Sequence, residues 1–242
     1  MLASFAWGFI AASTLILGGA FALRYRVGER ALGMIMAFGS GVLISAVAFE
    51  LVQEAFNKAG GKGAVALGLC AGSLTFFTGD FLIDRMGGAD RKHSGGLQAG
   101  GSALAIVLGI VLDGIPESIV LGLSVVGGSV SAAFLIAVAI SNVPEAIAAS
   151  SGLAQARWRK RRILGLWTLV AVVSGLSALL GFTVFDSASP ETIAFVLSFA
   201  GGAVLTMLAD TMMPEAFEHG GKLVGVVTTL GFGLAFAISA LE

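Results

Sequence analysis

The stretch that decides the fold runs Leu104-Ala-Ile-Val-Leu-Gly-Ile110-Val-Leu-Asp113-Gly-Ile-Pro116-Glu117-Ser-Ile-Val120-Leu-Gly-Leu-Ser124. It is apolar on both flanks, long enough to cross a hydrocarbon core of about 30 Å, and carries two carboxylates at its middle. A carboxylate at the bilayer centre costs roughly 2.5–3.5 kcal/mol on insertion scales, so it persists where it faces a polar pathway or a bound cation. A second apolar stretch carries Ser141-Asn142-Val-Pro144-Glu145, which repeats the Pro-Glu pair 28 residues further on.

Working outward, the same texture fills the chain. Its 242 residues are 57% hydrophobic and 12% charged, with a mean hydropathy of +0.96. Soluble domains carry about 25% charged residues, so a sizeable soluble domain is excluded and an all-α polytopic membrane protein is expected. The net charge of -1 identifies no partner. The lone Cys70 allows no intrachain disulfide. The N-terminal segment lacks a cationic stretch and reads as a span, not a cleaved leader.

Eight transmembrane helices are predicted, at 3–24, 31–57, 63–84, 99–124, 130–156, 163–185, 190–217 and 222–241. Thirty-five glycines suit close helix packing in lipid. Of the 14 Lys and Arg residues, 12 fall in alternate loops: Arg24, Arg26 and Arg30, then Arg85, Arg91 and Lys92, then five in 157–162, then Lys222. Only Lys58 and Lys62 fall on the other side. By the positive-inside rule the basic loops are cytoplasmic and both termini are outside, in a plasma membrane. The basic run 157–162 is read as a topology anchor, not as a nucleic-acid site. No Lys or Arg is expected deep among the acids Glu50, Glu54, Asp80, Asp113, Glu117, Glu145, Asp210 and Glu215, which disfavours anion transport.

Residues 40–56, Ser40-Gly-Val-Leu-Ile-Ser-Ala-Val-Ala-Phe-Glu-Leu-Val-Gln-Glu54-Ala-Phe, resemble 201–217, Gly201-Gly-Ala-Val-Leu-Thr-Met-Leu-Ala-Asp-Thr-Met-Met-Pro-Glu215-Ala-Phe. A Gly-Gly-Lys follows each, at 60–62 and 220–222. The two spans would run in opposite directions, the pattern of inverted-repeat secondary transporters with midplane substrate sites. One transmembrane domain over 1–242 is expected in a 3+2+3 arrangement. Its repeats lie in 1–84 and 163–242, its central helices in 99–156, and a cytoplasmic loop at 85–98.

Residues three or four apart share a helix face. Asp113 and Glu117 project together from the fourth span, and Ser141, Asn142 and Glu145 from the fifth. Pro116 and Pro144 withdraw a backbone hydrogen bond and release the carbonyls of Leu112 and Ile140. The oxygen-rich set suits divalent cations such as Mg²⁺, Mn²⁺ or Fe²⁺ and can also hold Zn²⁺. Met207, Met212 and Met213 read as packing, Asp80 as interfacial, and His93 as a solvated loop residue.

Together these motifs resemble the ZIP family of divalent metal transporters, whose fourth and fifth spans carry His-Asn-x-Pro-Glu-Gly-like sequences. The resemblance implies eight spans, an outward location of both termini and a homodimer. It implies Glu117 and Glu145 as metal-bridging carboxylates and Asn142 as a ligand of a second site. Asp113 and Ser141 stand where the family often has His or another polar ligand, and Gly114 replaces an Asn donor. The implied function is a secondary transporter, not an enzyme, moving zinc, manganese or iron as substrate towards the cytoplasm, with no cofactor. Glu50, Glu54, Asp210 and Glu215 would line or gate the route, and Asp84, Glu218 and His219 would stand at its exit. Two alternatives are a non-transporting metal-binding protein of the same descent and an intramembrane aspartyl protease with Asp113 and Asp210 as its dyad. The chain has neither His-Glu-x-x-His nor a Walker-type loop.

Overall fold

The computed structural model describes residues 2–59, 63–89, 91, 101–126 and 131–241. His93 and Lys92, and the Gly-Gly-Lys at 60–62, lie outside the described residues. Every regular element among the described residues is helical: α1 (Leu2–Arg24), α2 (Glu29–Ala46), α3 (Glu54–Ala59), α4 (Ala64–Ile83), α5 (Ala103–Val126), α6 (Ala132–Gln155), α7 (Lys160–Phe185), α8 (Pro190–Met207), α9 (Met213–Gly220) and α10 (Val224–Ser239). A π-helical segment, Val47–Gln53, joins α2 to α3, and another, Leu208–Met212, joins α8 to α9. Serines cap α6 and α8: Ser131 Oγ accepts from the Phe134 amide at 3.0 Å and Ser189 Oγ from the Thr192 amide at 3.3 Å, satisfying donors at an exposed helix start.

Among the described residues, seven helical stretches are long and apolar enough to cross a membrane, the last being Pro190–Ser239. That fifty-residue stretch is not one straight rod. At Gly221 the backbone takes φ 63, ψ -148, a conformation that favours glycine, and the chain reverses. Along 190–220 it runs antiparallel to α2: Gly201 lies against Val47 and Leu51, whereas Gly220 lies against Gly33. Along α10 it runs parallel to α2, with Gly231 against the Phe38 carbonyl and Ser239 bonded to Glu50 at 2.6 Å. The helix ends lie within a few residues of expectation, except that α5 starts at Ala103, where 99 was expected.

The sequence repeat has a structural counterpart. Its alignment places Val47 on Leu208, and these residues open the two π-helical segments. It also places Gly41 on Gly202, and both are pressed against backbone: Gly41 against the Thr228 carbonyl of α10, Gly202 against the Leu69 carbonyl of α4. A Cβ at either position would collide with that oxygen. The reciprocal contacts also correspond, Gly231 on the Phe38 carbonyl and Gly72 on that of Phe199. Thus α2 pairs with α10 as 190–220 pairs with α4, each pair parallel. Likewise α6 runs parallel beside α1, and α5 parallel beside α7. Such carbonyl-on-glycine contacts let backbones approach where lipid supplies no hydrophobic drive between helices.

All the described basic junctions fall at one end of the bundle. Gly33 meets Gly220 there, and Lys160 Nζ donates to the Leu23 carbonyl at 2.9 Å. Arg24, Arg85 and Lys222 stand exposed at this end, and Lys58 stands at the other. The core is packed by Leu43, Leu51, Met207 and Met212, all 1% exposed or less, so these methionines are packing residues.

Candidate metal pathway

The central acids come from α5 and α6, which make little contact with each other. Both lean on α1 and α7, and the cavity between the four helices is lined by Leu15, Ile110, Asp113, Gly114, Glu117, Asn142, Glu145, Ala149, Trp167 and Val170. Its volume is about 20 Å³, room for roughly one water-sized occupant. A second cavity of about 10 Å³ adjoins it through Leu15, Gly114, Glu117 and Asn142. Glu117 and Glu145, 4% and 8% exposed, therefore face one shared chamber and not lipid. Helices α5 and α6 both continue through their prolines.

Helix α1 reads as plain scaffold in sequence, yet it sets the site. The Asn142 amide nitrogen donates to the Ala11 carbonyl at 3.2 Å, which leaves the amide oxygen as the group available to a cation. Gly18 and Gly19 bring α1 against Val143 of α6 and Trp167 of α7. The Trp167 indole donates to Ser150 Oγ at 2.8 Å. Ser141 is fully buried but is not in the cavity lining; its hydroxyl donates to the Val138 carbonyl at 3.0 Å, and its Cα faces Gly39 of α2. It is the one residue of the expected ligand set set apart from the chamber.

The expectation of acids without an internal base is corrected by Arg91. Its side chain is 1% exposed. Nε and Nη2 donate to the two Asp113 oxygens at 3.1 Å each; Nη2 also bonds Asp80, and Nη1 stands 3.5 Å from Asp84. A buried guanidinium persists when its fork is matched by carboxylates. Gly109, one turn before Asp113, leaves the space, since a Cβ there would strike the Arg91 side chain. Asp80 is therefore a buried ion-pair partner and not an interfacial residue. Sequence held two signals: Asp80, Asp84 and Asp113 needed a counter-charge, and Arg91 lies between Asp84 and Asp113 in the chain. Counting it as an ordinary loop base hid its inward turn.

The remaining pathway residues are scattered. At the end away from the basic junctions, Glu50 accepts from Ser131 at 2.7 Å and Ser239 at 2.6 Å. Glu54 pairs with Lys58 at 3.0 Å on the surface. At the basic end Glu215 is buried and lies 3.2 Å from His219 Nε2, with Glu218 close enough to complete a three-ligand group. Glu29 stands 4.0 Å from His219 Nδ1. Asp210 is exposed.

No protein-family model matches this chain, and no curated protein matches it.

Proposed function

We propose that this chain is a secondary transporter that moves divalent transition-metal cations towards the cytoplasm by alternating access. The observation that carries the reading is the convergence of Asp113, Glu117, Asn142 and Glu145 on one small chamber inside an apolar helical bundle. Acids are costly in such a place, and a cation held among Glu117, Asn142 and Glu145 would add to the positive charge that Arg91 brings to Asp113. The paired helix partnerships support an inverted repeat, and the reversal at Gly221 supports reading the last apolar stretch as two crossings, eight in all. Basic residues gathered at one end support a cytoplasmic location for that end and an outside location for both termini in the cell membrane. Zinc follows from the ZIP resemblance alone. The all-oxygen donors also suit manganese and iron.

One observation favours a second reading, a metal-binding protein that does not transport: Arg91 already holds both Asp113 oxygens. The same pairing speaks against Asp113 sharing a proton with Asp210 as a protease dyad. Uptake decides between transport and binding. Proteoliposomes carrying the native chain take up ⁶⁵Zn or ⁵⁴Mn, and Glu117→Ala and Glu145→Ala proteins insert normally but lose that uptake. Unchanged uptake in both variants would remove the transporter reading; bound metal without flux in the native chain would leave the second.

A further inference from the structure

Arg91 is the one buried basic side chain among the described residues, and it bridges acids on both sides of the gap between α4 and α5. We propose that Arg91 is a tethered cation that seals the chamber towards the basic end, and that an incoming divalent cation displaces it from Asp113. The displacement rests on the metal reading of the chamber; the seal does not.

Asp113 and Glu117 lie one turn apart on the same face of α5 and line the same cavity. With both Asp113 oxygens engaged by the guanidinium, a metal ion must compete with the fork for that carboxylate. The tether keeps the guanidinium at high local concentration, which sets a threshold for any competitor. A monovalent ion brings no more charge to the carboxylates than the group it replaces. A divalent ion doubles the Coulomb attraction at equal distance. Arg91 would therefore also favour divalent over monovalent ions.

The displaced side chain has somewhere to go. Asp80 and Asp84 stay beside it, and the Asp84 side chain, 38% exposed, leads towards the surface. Beneath it the chain turns on Gly87, at φ 95, and the Arg91 amide is tied to the Gly88 carbonyl at 3.1 Å. The amide is thus anchored, and a change of partners falls to the long side chain, which passes over the Cβ-less face of Gly109.

The test uses the full chain with Cys70→Ser and a single reporter, Ile110→Cys, in the cavity wall. Labelling by a charged methanethiosulfonate is followed by mass spectrometry, and Mn²⁺ binding by equilibrium dialysis. Arg91→Gln is expected to label at least tenfold faster and to bind Mn²⁺ at least fivefold more tightly. Asp80→Asn, which removes an anchor and leaves Asp113 intact, should shift both in the same direction by less. Arg91→Lys keeps the charge without the fork, should fall between, and guards against a folding defect. Unchanged labelling and Mn²⁺ affinity in well-folded Arg91→Gln and Asp80→Asn proteins overturns the proposal. Faster labelling with no Mn²⁺ bound by any form overturns the metal reading and the displacement, while the seal stands.

Discussion

Glu54 and Glu215 occupy matching places in the two repeated segments, and the fold treats them in opposite ways. Each follows a π-helical segment, in rods that run antiparallel, so they stand towards opposite ends of the bundle. Glu215 is buried against His219. Glu54 is half-exposed beside Lys58. Nearby, Glu50 is held by two hydroxyls, whereas Asp80, Asp84 and Asp113 are held by a guanidinium. The repeat therefore copies a backbone design and leaves the charges free to diverge. At one end Glu50 is held by hydroxyls and Glu54 by an exposed lysine, whereas towards the other a buried guanidinium holds three aspartates.

The sharpest way to break the comparison is at its shared backbone contacts. Gly41→Ala and Gly202→Ala each drive a methyl into a backbone carbonyl of the neighbouring helix. Overpacking of this kind costs about 1–3 kcal/mol, and a carbonyl in a helix cannot swing aside as a side chain can. Both variants should lose thermal stability in detergent by similar amounts. Gly225→Ala, which meets nothing within 4 Å, should lose little. A large loss at Gly41 with none at Gly202 would show that the two halves are not packed alike.

A second effect separates the ends. Glu215→Ala removes a buried acid 3.2 Å from His219. Losing the partner of a buried polar group costs about 1–3 kcal/mol, and Glu215→Gln, which can still bond the imidazole, should recover part of it. Melting in detergent checks both, and added salt should change the loss little because the site is shielded from solvent.

The legible parts of this molecule were those written in periodicity and composition. Apolar length placed the helices, and the basic residues grouped their ends. The repeat alignment places Gly41 on Gly202 and Val47 on Leu208. Asp113, Glu117, Asn142 and Glu145 were legible because helix spacing fixes their faces. Ser141, one turn from Glu145, stands instead with its Cα against Gly39 of α2 and outside the chamber lining, a placement that depends on how α2 packs on α6. Arg91 was hidden because its direction depends on a turn at Gly87 and on a space at Gly109, both tertiary facts. The π-helical segments left no composition signal at all. Nor did the role of α1, whose contribution at Asn142 is a backbone carbonyl that any residue could supply.

The smallest expected effect is also the cleanest control on the comparison. Glu54 and Lys58 are four apart on one helix, with side chains 45% and 37% exposed and a separation of 3.0 Å. Pairs of this kind contribute about 0.3–0.5 kcal/mol, and salt screens them. Glu54→Ala should therefore shift melting barely beyond error, and raising ionic strength should erase the difference. Lys58→Ala should behave the same way, since either change removes the one interaction. A Glu54→Ala loss as large and as salt-insensitive as that of Glu215→Ala would mean that the two ends use their matching acids alike. The contrast between an exposed and a buried acid at matching places of the repeat would then have to be given up.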